Sequence, residues 1–180
     1  MRFCLYRAFI NNLPTKTNLM NHSMNVGTIC NFCQLHAEDI DHLFFRCSFS
    51  SFVWNWCCAK LNFNGVNLST LKDCILYLND FCKGKNQFTD LVLLVFSTTV
   101  WILWNQRNYR MFGGRILNKQ ETCNEIINTV RILMIKTKSK ERLTMEQQRI
   151  INVWSIDTRS EQEKEVLSRS RSSSSVFEPP

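Results

Sequence analysis

The sequence predicts a mostly α-helical protein: a small helical domain organised around a Cys/His loop, a long buried helix and a C-terminal helical extension. Three observations carry that expectation. Turn chemistry is scarce, with 5 Gly and 3 Pro in 180 residues, so the chain lacks the frequent breaks of a many-stranded fold. Apolar residues recur at helical spacing over long stretches, the pattern that gives a helix one buried face. The composition, 44% hydrophobic and 21% charged, suits one globular unit with a modest core.

At the N-terminus, residues 3–12 set Phe3, Leu5, Tyr6, Ala8 and Phe9 among arginines, which suits an amphipathic helix ending near Asn11 and Asn12. Pro14 then opens a short second helix with Thr15, Lys16, Leu19 and Met20, because proline is tolerated in a first helical turn.

Between Cys30 and Cys47 the chain reads CNFCQLHAEDIDHLFFRC, placing Cys30, Cys33, His42 and Cys47 in a C-x2-C-x8-H-x4-C pattern. Two cysteines separated by two residues can turn both sulfurs to one point, and a returning His/Cys pair closes a four-coordinate shell of the structural zinc type. Three thiolates and one imidazole leave no position for water, so the expected cofactor is one structural Zn2+ that holds shape and performs no Lewis-acid chemistry. HLFFRC suits a helical turn carrying His42, with Phe44 and Phe45 packed beside the metal. His36 is a competing donor of lesser weight, since its use would leave His42 or Cys47 without a role. The competing reading of the whole loop is ordinary buried cysteines or a disulfide. Glu38, Asp39 and Asp41 fill the middle of the loop and are expected to repel a phosphate backbone at this edge.

After the loop, Ser48 or Ser50 is the expected cap of a helix running through Phe52, Val53, Trp54 and Trp56 toward Lys60, its aromatics serving the core more than base stacking. Asn67 or Ser69 should cap the next helix, with Leu71, Cys74, Ile75 and Leu78 at helical spacing. Residues 88–112 form the longest apolar element. Its uninterrupted run from Leu91 to Trp104 is 14 residues, short for a bilayer, so a buried central helix is expected and no membrane partner. Arg107 and Asn108 should extend beyond the buried part and cap neighbouring helix ends. Gly113 and Gly114 end this helix in the manner of a left-handed cap, and Asn118 with Glu121 forms a capping box for the next, striped by Cys123, Ile126, Ile127, Val130, Leu133 and Met134. A weaker helix follows from Thr144 to Trp154, and the Ser/Arg-rich tail is expected to be disordered. The resulting division is 1–62 around the metal loop, 63–156 as a helical extension packed on it, and 157–180 as tail.

The run FINNLPTKTNLMNHSMN, the CNFC pair, EDIDHLFFRCSFSSFVWNW with Trp54, and the later VWILWNQRNYRMF together resemble the reverse transcriptase zinc-binding domain of plant non-LTR (LINE-type) retrotransposons and the Trp-x-x-Trp-x-x-Arg-Asn block that often follows it. The resemblance covers residues 3 to about 112. The family pattern begins with another tryptophan-bearing stretch, and Met1 falls inside it, so the resemblance implies an N-terminally shortened copy.

A formal net charge of +7 and a pI near 9.0 favour acidic partners, nucleic acid above all. Candidate phosphate contacts are Arg7 and Lys16 near the N-terminus, for which two solvated charges on a helix face are the favoured alternative, and the basic run Arg131, Lys136, Lys138, Lys140 and Arg142, which a solvated helix end explains at least equally well. Nine cysteines without a signal-peptide pattern fit reduced thiols in a nuclear or cytoplasmic setting. Polymerase carboxylates, a ribonuclease H acidic set, a nucleophile elbow and a phosphate-cradling glycine loop are all missing, so no enzyme and no small-molecule substrate is expected. The Tyr77–Asp80 stretch offers one carboxylate on a helical pattern where a polymerase needs two adjacent ones. The resemblance implies a non-catalytic accessory domain binding RNA or DNA without sequence preference, beside a reverse transcriptase supplied in trans. The alternative is a metal-stabilised protein-interaction module, or a decayed remnant without activity.

Overall fold

The computed structural model describes residues 2–63, 69–82, 86–134 and 143–155. Within them the chain forms α1 (Arg2–Phe9), α2 (Lys16–Asn21), a π-helical turn (His42–Arg46), α3 (Ser48–Lys60), α4 (Leu71–Phe81), α5 (Gln87–Phe112), α6 (Lys119–Met134) and α7 (Met145–Ser155). One isolated antiparallel bridge, Ile29 to Ala37, is the extended pairing among the described residues. The mostly α class is therefore as expected. Lys136, Lys138, Lys140, Arg142, Asn67 and the tail from 157 to 180 lie outside the described residues.

The 26-residue α5 is the axis of the assembly and packs against α1, α3, α6, α7 and the π-turn. Contact on several sides explains why it is apolar nearly all round, with Leu91, Val92, Val95, Phe96, Val100, Ile102 and Leu103 buried. By length and composition α5 could cross a bilayer, yet 61% of its most apolar window is buried against its own neighbours, as in the core helix of a globular fold. Its apolar run is short, as the sequence shows, but the helix continues through polar residues at both ends.

Helix boundaries follow local chemistry. Asn86 caps α5 by accepting from the Thr89 amide at 2.8 Å, and Thr70, one residue beyond the expected Ser69, caps α4 by accepting from the Asp73 amide at 3.0 Å. The box at α6 closes as predicted: Asn118 accepts from the Glu121 amide at 2.9 Å while Glu121 accepts from the Asn118 amide at 2.8 Å. Thr144 and Gln147 repeat the device at α7. After α5 both glycines take positive φ, 87° at Gly113 and 144° at Gly114. A Cβ on Gly114 would come within 2.5 Å of the Tyr109 ring, so glycine is required there on two counts. α1 is shorter than expected, ending at Phe9, and α2 starts at Lys16 with Thr15 as its cap, two residues after Pro14.

α3 buries Phe49, Ser50, Val53, Trp54 and Cys57, a single stripe turned toward the π-turn, α5 and α6. Trp54 lies between Phe45 and Phe96, with ring centroids 5.5 and 5.2 Å away, and so belongs to the core. Neither expected serine caps α3; Cys47 occupies that position in extended conformation.

Candidate metal centre

Residues 28–38 form a short knuckle. The Cys30 amide donates to the His36 carbonyl at 2.8 Å, the Glu38 amide donates to Thr28 at 2.9 Å, and Gln34 takes a left-handed φ of 57° to let the chain turn back. This closure aims the Cys30 and Cys33 sulfurs the same way. The second pair comes from the π-turn, where the Cys47 amide donates to the His42 carbonyl at 2.8 Å, so the two later donors stand at the two ends of one hydrogen bond. In a continuing α-helix five residues would rotate the second side chain about 140° from the first; the wider turn removes that offset.

Two carbonyls of the turn also receive side-chain donors from α3. Ser50 Oγ donates to the Leu43 carbonyl, and Trp54 Nε1 donates to the Phe44 carbonyl. These side chains are four residues apart on one face of α3, which fixes the turn that carries His42 and Cys47.

The four donor atoms of Cys30, Cys33, His42 and Cys47 all lie within 4.8 Å of one another, with Cys33 Sγ 3.3 Å from His42 Nε2 and Cys30 Sγ 4.0 Å from Cys47 Sγ. Tetrahedral zinc at ordinary bond lengths needs its donors roughly 3.5–3.8 Å apart. The donor set therefore fits one closed zinc site. His36 is exposed and stands outside the group, its ring 5.4 Å from that of His42.

Electrostatics favour ligation. Burial, then the neighbouring His36, lower the pKa of His42, which keeps the imidazole neutral. The Cys30 thiol donates to Cys47, which raises Cys30 and lowers Cys47, so of this pair the Cys47 thiolate forms first. The amides of Phe49 and Ser50 at the start of α3 add to the lowering of Cys47, although neither closes a cap bond. All nine cysteines are free thiols, which sets aside a disulfide at this loop.

The three acids also anchor the loop, and Glu38 turns inward, so it is no part of the repulsive edge expected of them. Glu38 is fully buried and its Oε1 accepts from Arg107 Nε at 2.9 Å, from an Arg107 terminal nitrogen at 2.7 Å and from the Lys16 amide at 3.2 Å. Asp39 accepts from the His42 amide at 2.6 Å and pairs with Arg46 at 2.9 Å. Asp41 accepts from the Leu71 amide at 3.0 Å and so holds the start of α4. Arg107 is likewise not a capping residue beyond the core: it is 1% exposed, lies 5.0 Å over the Trp104 ring and donates to the Pro14 carbonyl at 3.1 Å. Sequence reasoning missed this pair, whose partners are 69 residues apart.

Residues 1–54 match the sequence family described as zinc-binding in reverse transcriptase. That zinc-binding region holds all four donors and ends within α3, so the Trp101–Asn108 block lies outside it. The match is to the zinc-binding part of reverse transcriptase and not to a catalytic domain. Comparison with curated proteins and with solved structures gave no match.

The described basic candidates sit on three different elements. Arg7 on α1 donates to the Asn12 carbonyl at 3.0 Å and lies over the Phe3 ring. Lys16, at the start of α2, donates its ammonium to the Ile29 carbonyl and the Asn31 side chain, bracing the knuckle of the zinc-binding region. Arg131 on α6 donates to the Trp154 carbonyl at 3.1 Å.

Proposed function

We propose that the chain is a zinc-stabilised nucleic-acid-binding accessory module, derived from the reverse transcriptase polyprotein of a plant non-LTR retrotransposon and non-catalytic by itself. The convergence of Cys30, Cys33, His42 and Cys47 within a region similar to reverse transcriptase zinc-binding sequences is the observation that carries it. Those four residues hold the ion. When bound, zinc cross-links the knuckle to the π-turn and leaves no open coordination position.

The +7 net charge supports attraction to RNA or DNA, with Arg7, Arg131 and the chain positions Lys136, Lys138, Lys140 and Arg142 as contacts. Lys16 contributes less, since two of its donors already brace the knuckle. A reverse transcriptase supplied in trans is the natural protein partner, in a reducing nuclear or cytoplasmic setting. The working division remains a metal-centred unit at 1–62 with 63–156 packed on it.

Gel-shift titration of single-stranded RNA at several salt concentrations tests the reading. We expect sequence-tolerant binding that weakens as salt rises. Replacing Lys136, Lys138, Lys140 and Arg142 by Gln should flatten that salt slope by about 0.7 for each side chain that neutralises a phosphate. Cys33→Ser should lose zinc and binding together. Absence of any shift at low salt would favour the second reading, a metal-stabilised interaction module. That reading has its own support in the exposed Phe3, Tyr6 and Phe9 of α1, beside an open apolar groove lined by Leu5, Ile75 and Leu94.

A further inference from the structure

Arg110 lies well outside the matched zinc-binding region, on α5, one helical turn beyond Arg107. Its guanidinium carbon is 5.0 Å from the centroid of the Phe32 ring and 4.8 Å from that of Phe49. Those rings stack on each other at 4.5 Å. Each ring follows a metal donor by two positions, Phe32 after Cys30 and Phe49 after Cys47, and the Phe32 amide donates to the Cys30 sulfur at 3.3 Å. The arginine thus sits over the two rings that flank the fully buried Cys30 and Cys47; burial lowers its pKa, and the charges of Cys47 and Cys30 act against that lowering.

Its hydrogen bonding is incomplete. A terminal nitrogen donates to the Leu117 carbonyl at 2.9 Å, whereas Nε is buried with no hydrogen-bond partner. A buried cationic donor left in this way is costly unless an anion compensates it. A divalent ion held by three thiolates and a neutral imidazole leaves the centre with one net negative charge, and one guanidinium balances it.

We propose that Arg110 is a positioning residue of the metal centre: through the Phe32–Phe49 stack it supplies the counter-charge for the Cys30 and Cys47 thiolates and shields them from water. The inference rests on the zinc reading above and adds a residue, from a different part of the chain, on which metal affinity depends.

The test uses the full-length chain, with Zn2+ affinity measured by competition against a chromophoric chelator and thiolate-to-metal absorption recorded on the Co2+ form. Arg110→Met removes charge and donors, Arg110→Gln keeps donors without charge, Arg110→Lys keeps charge, and Arg115→Met controls for loss of an exposed cation. The expected result is a 10- to 100-fold loss of Zn2+ affinity, about the usual effect of removing an outer-shell partner, in Met and Gln. Their Co2+ absorption should also shift, while Lys and the control stay near wild type. Should the Met variant fail to fold, the Gln-against-Lys comparison decides. Equal affinity in all variants would overturn the proposal, as would a Lys variant as weak as Gln, since that pattern reports packing and not charge. If the wild-type chain itself takes up no zinc, the parent reading and this one fall together; loss confined to the variants leaves the parent intact.

Discussion

Glu38 and Arg107 show how much of the site depends on single buried groups. Each is almost fully buried and each is the other's charge partner, so removing one leaves the other uncompensated. Arg107→Met or Glu38→Gln should each destabilise the protein by about 3–5 kcal/mol in urea unfolding. The double variant Glu38→Gln/Arg107→Met should lose clearly less than the sum, because no orphan charge remains. An additive double variant would mean that the two are not coupled. The thiols offer a second residue-scale test. Burial raises the pKa of Cys123 to about 11 and pushes Cys57 and Cys74 higher still, so these should react slowly with an alkylating agent. Zinc should protect Cys30, Cys33 and Cys47 alike, so chelation should raise the number of alkylated thiols counted by mass spectrometry, with Cys30 slow because its hydrogen bond to Cys47 and its burial raise its pKa. The four donors could be read from spacing alone, because metal geometry constrains near neighbours. The Glu38–Arg107 pair could not, since nothing local in either segment signals a partner so distant along the chain.

Between residues and whole fold, the π-turn is the element on which the site depends. Ser50 and Trp54 donate to two of its carbonyls, so Ser50→Ala and Trp54→Phe should each cost about 1 kcal/mol or more by removing a buried hydrogen bond. Both should also weaken zinc binding, because His42 and Cys47 lose their support. An ordinary cap makes the contrast: Asn118→Ala should cost about 1 kcal/mol of stability, with zinc affinity unchanged in chelator competition. Equal effects on zinc from all three would deny the turn a special role. The Asn118/Glu121 box and the glycine end of α5 were legible because capping is settled within four residues. The π-turn was not, as HLFFRC fits an α-helical turn equally well until Ser50 and Trp54 are seen to hold its carbonyls.

In the assembled fold, α5 packs against α1, α3, α6, α7 and the π-turn, and its Arg107 reaches back to the metal loop. Metal loss should therefore be felt beyond the knuckle. Acidification should act in the same direction, because the thiolates must be deprotonated to bind. His42 adds to this: burial, then His36, hold its folded-state pKa below the unfolded value of about 6.5, so its contribution is full above that pH and lost as pH falls from there through the lower folded-state value. Zinc-loaded protein should show a melting temperature that declines below about pH 6.5, and chelated protein a lower and flatter one. The all-α class was readable from composition and period. The wrapping of α5 was only half readable, because apolarity on every face looks alike whether protein or lipid covers it.

Whether one ion holds this helical fold together is decided by the zinc content of the purified full-length chain, read by elemental analysis together with far-ultraviolet circular dichroism before and after chelation. We expect one zinc per chain, lost helicity on chelation, and neither metal nor full helicity in Cys33→Ser. A metal-free chain with undiminished helicity and an unchanged melting temperature would contradict this.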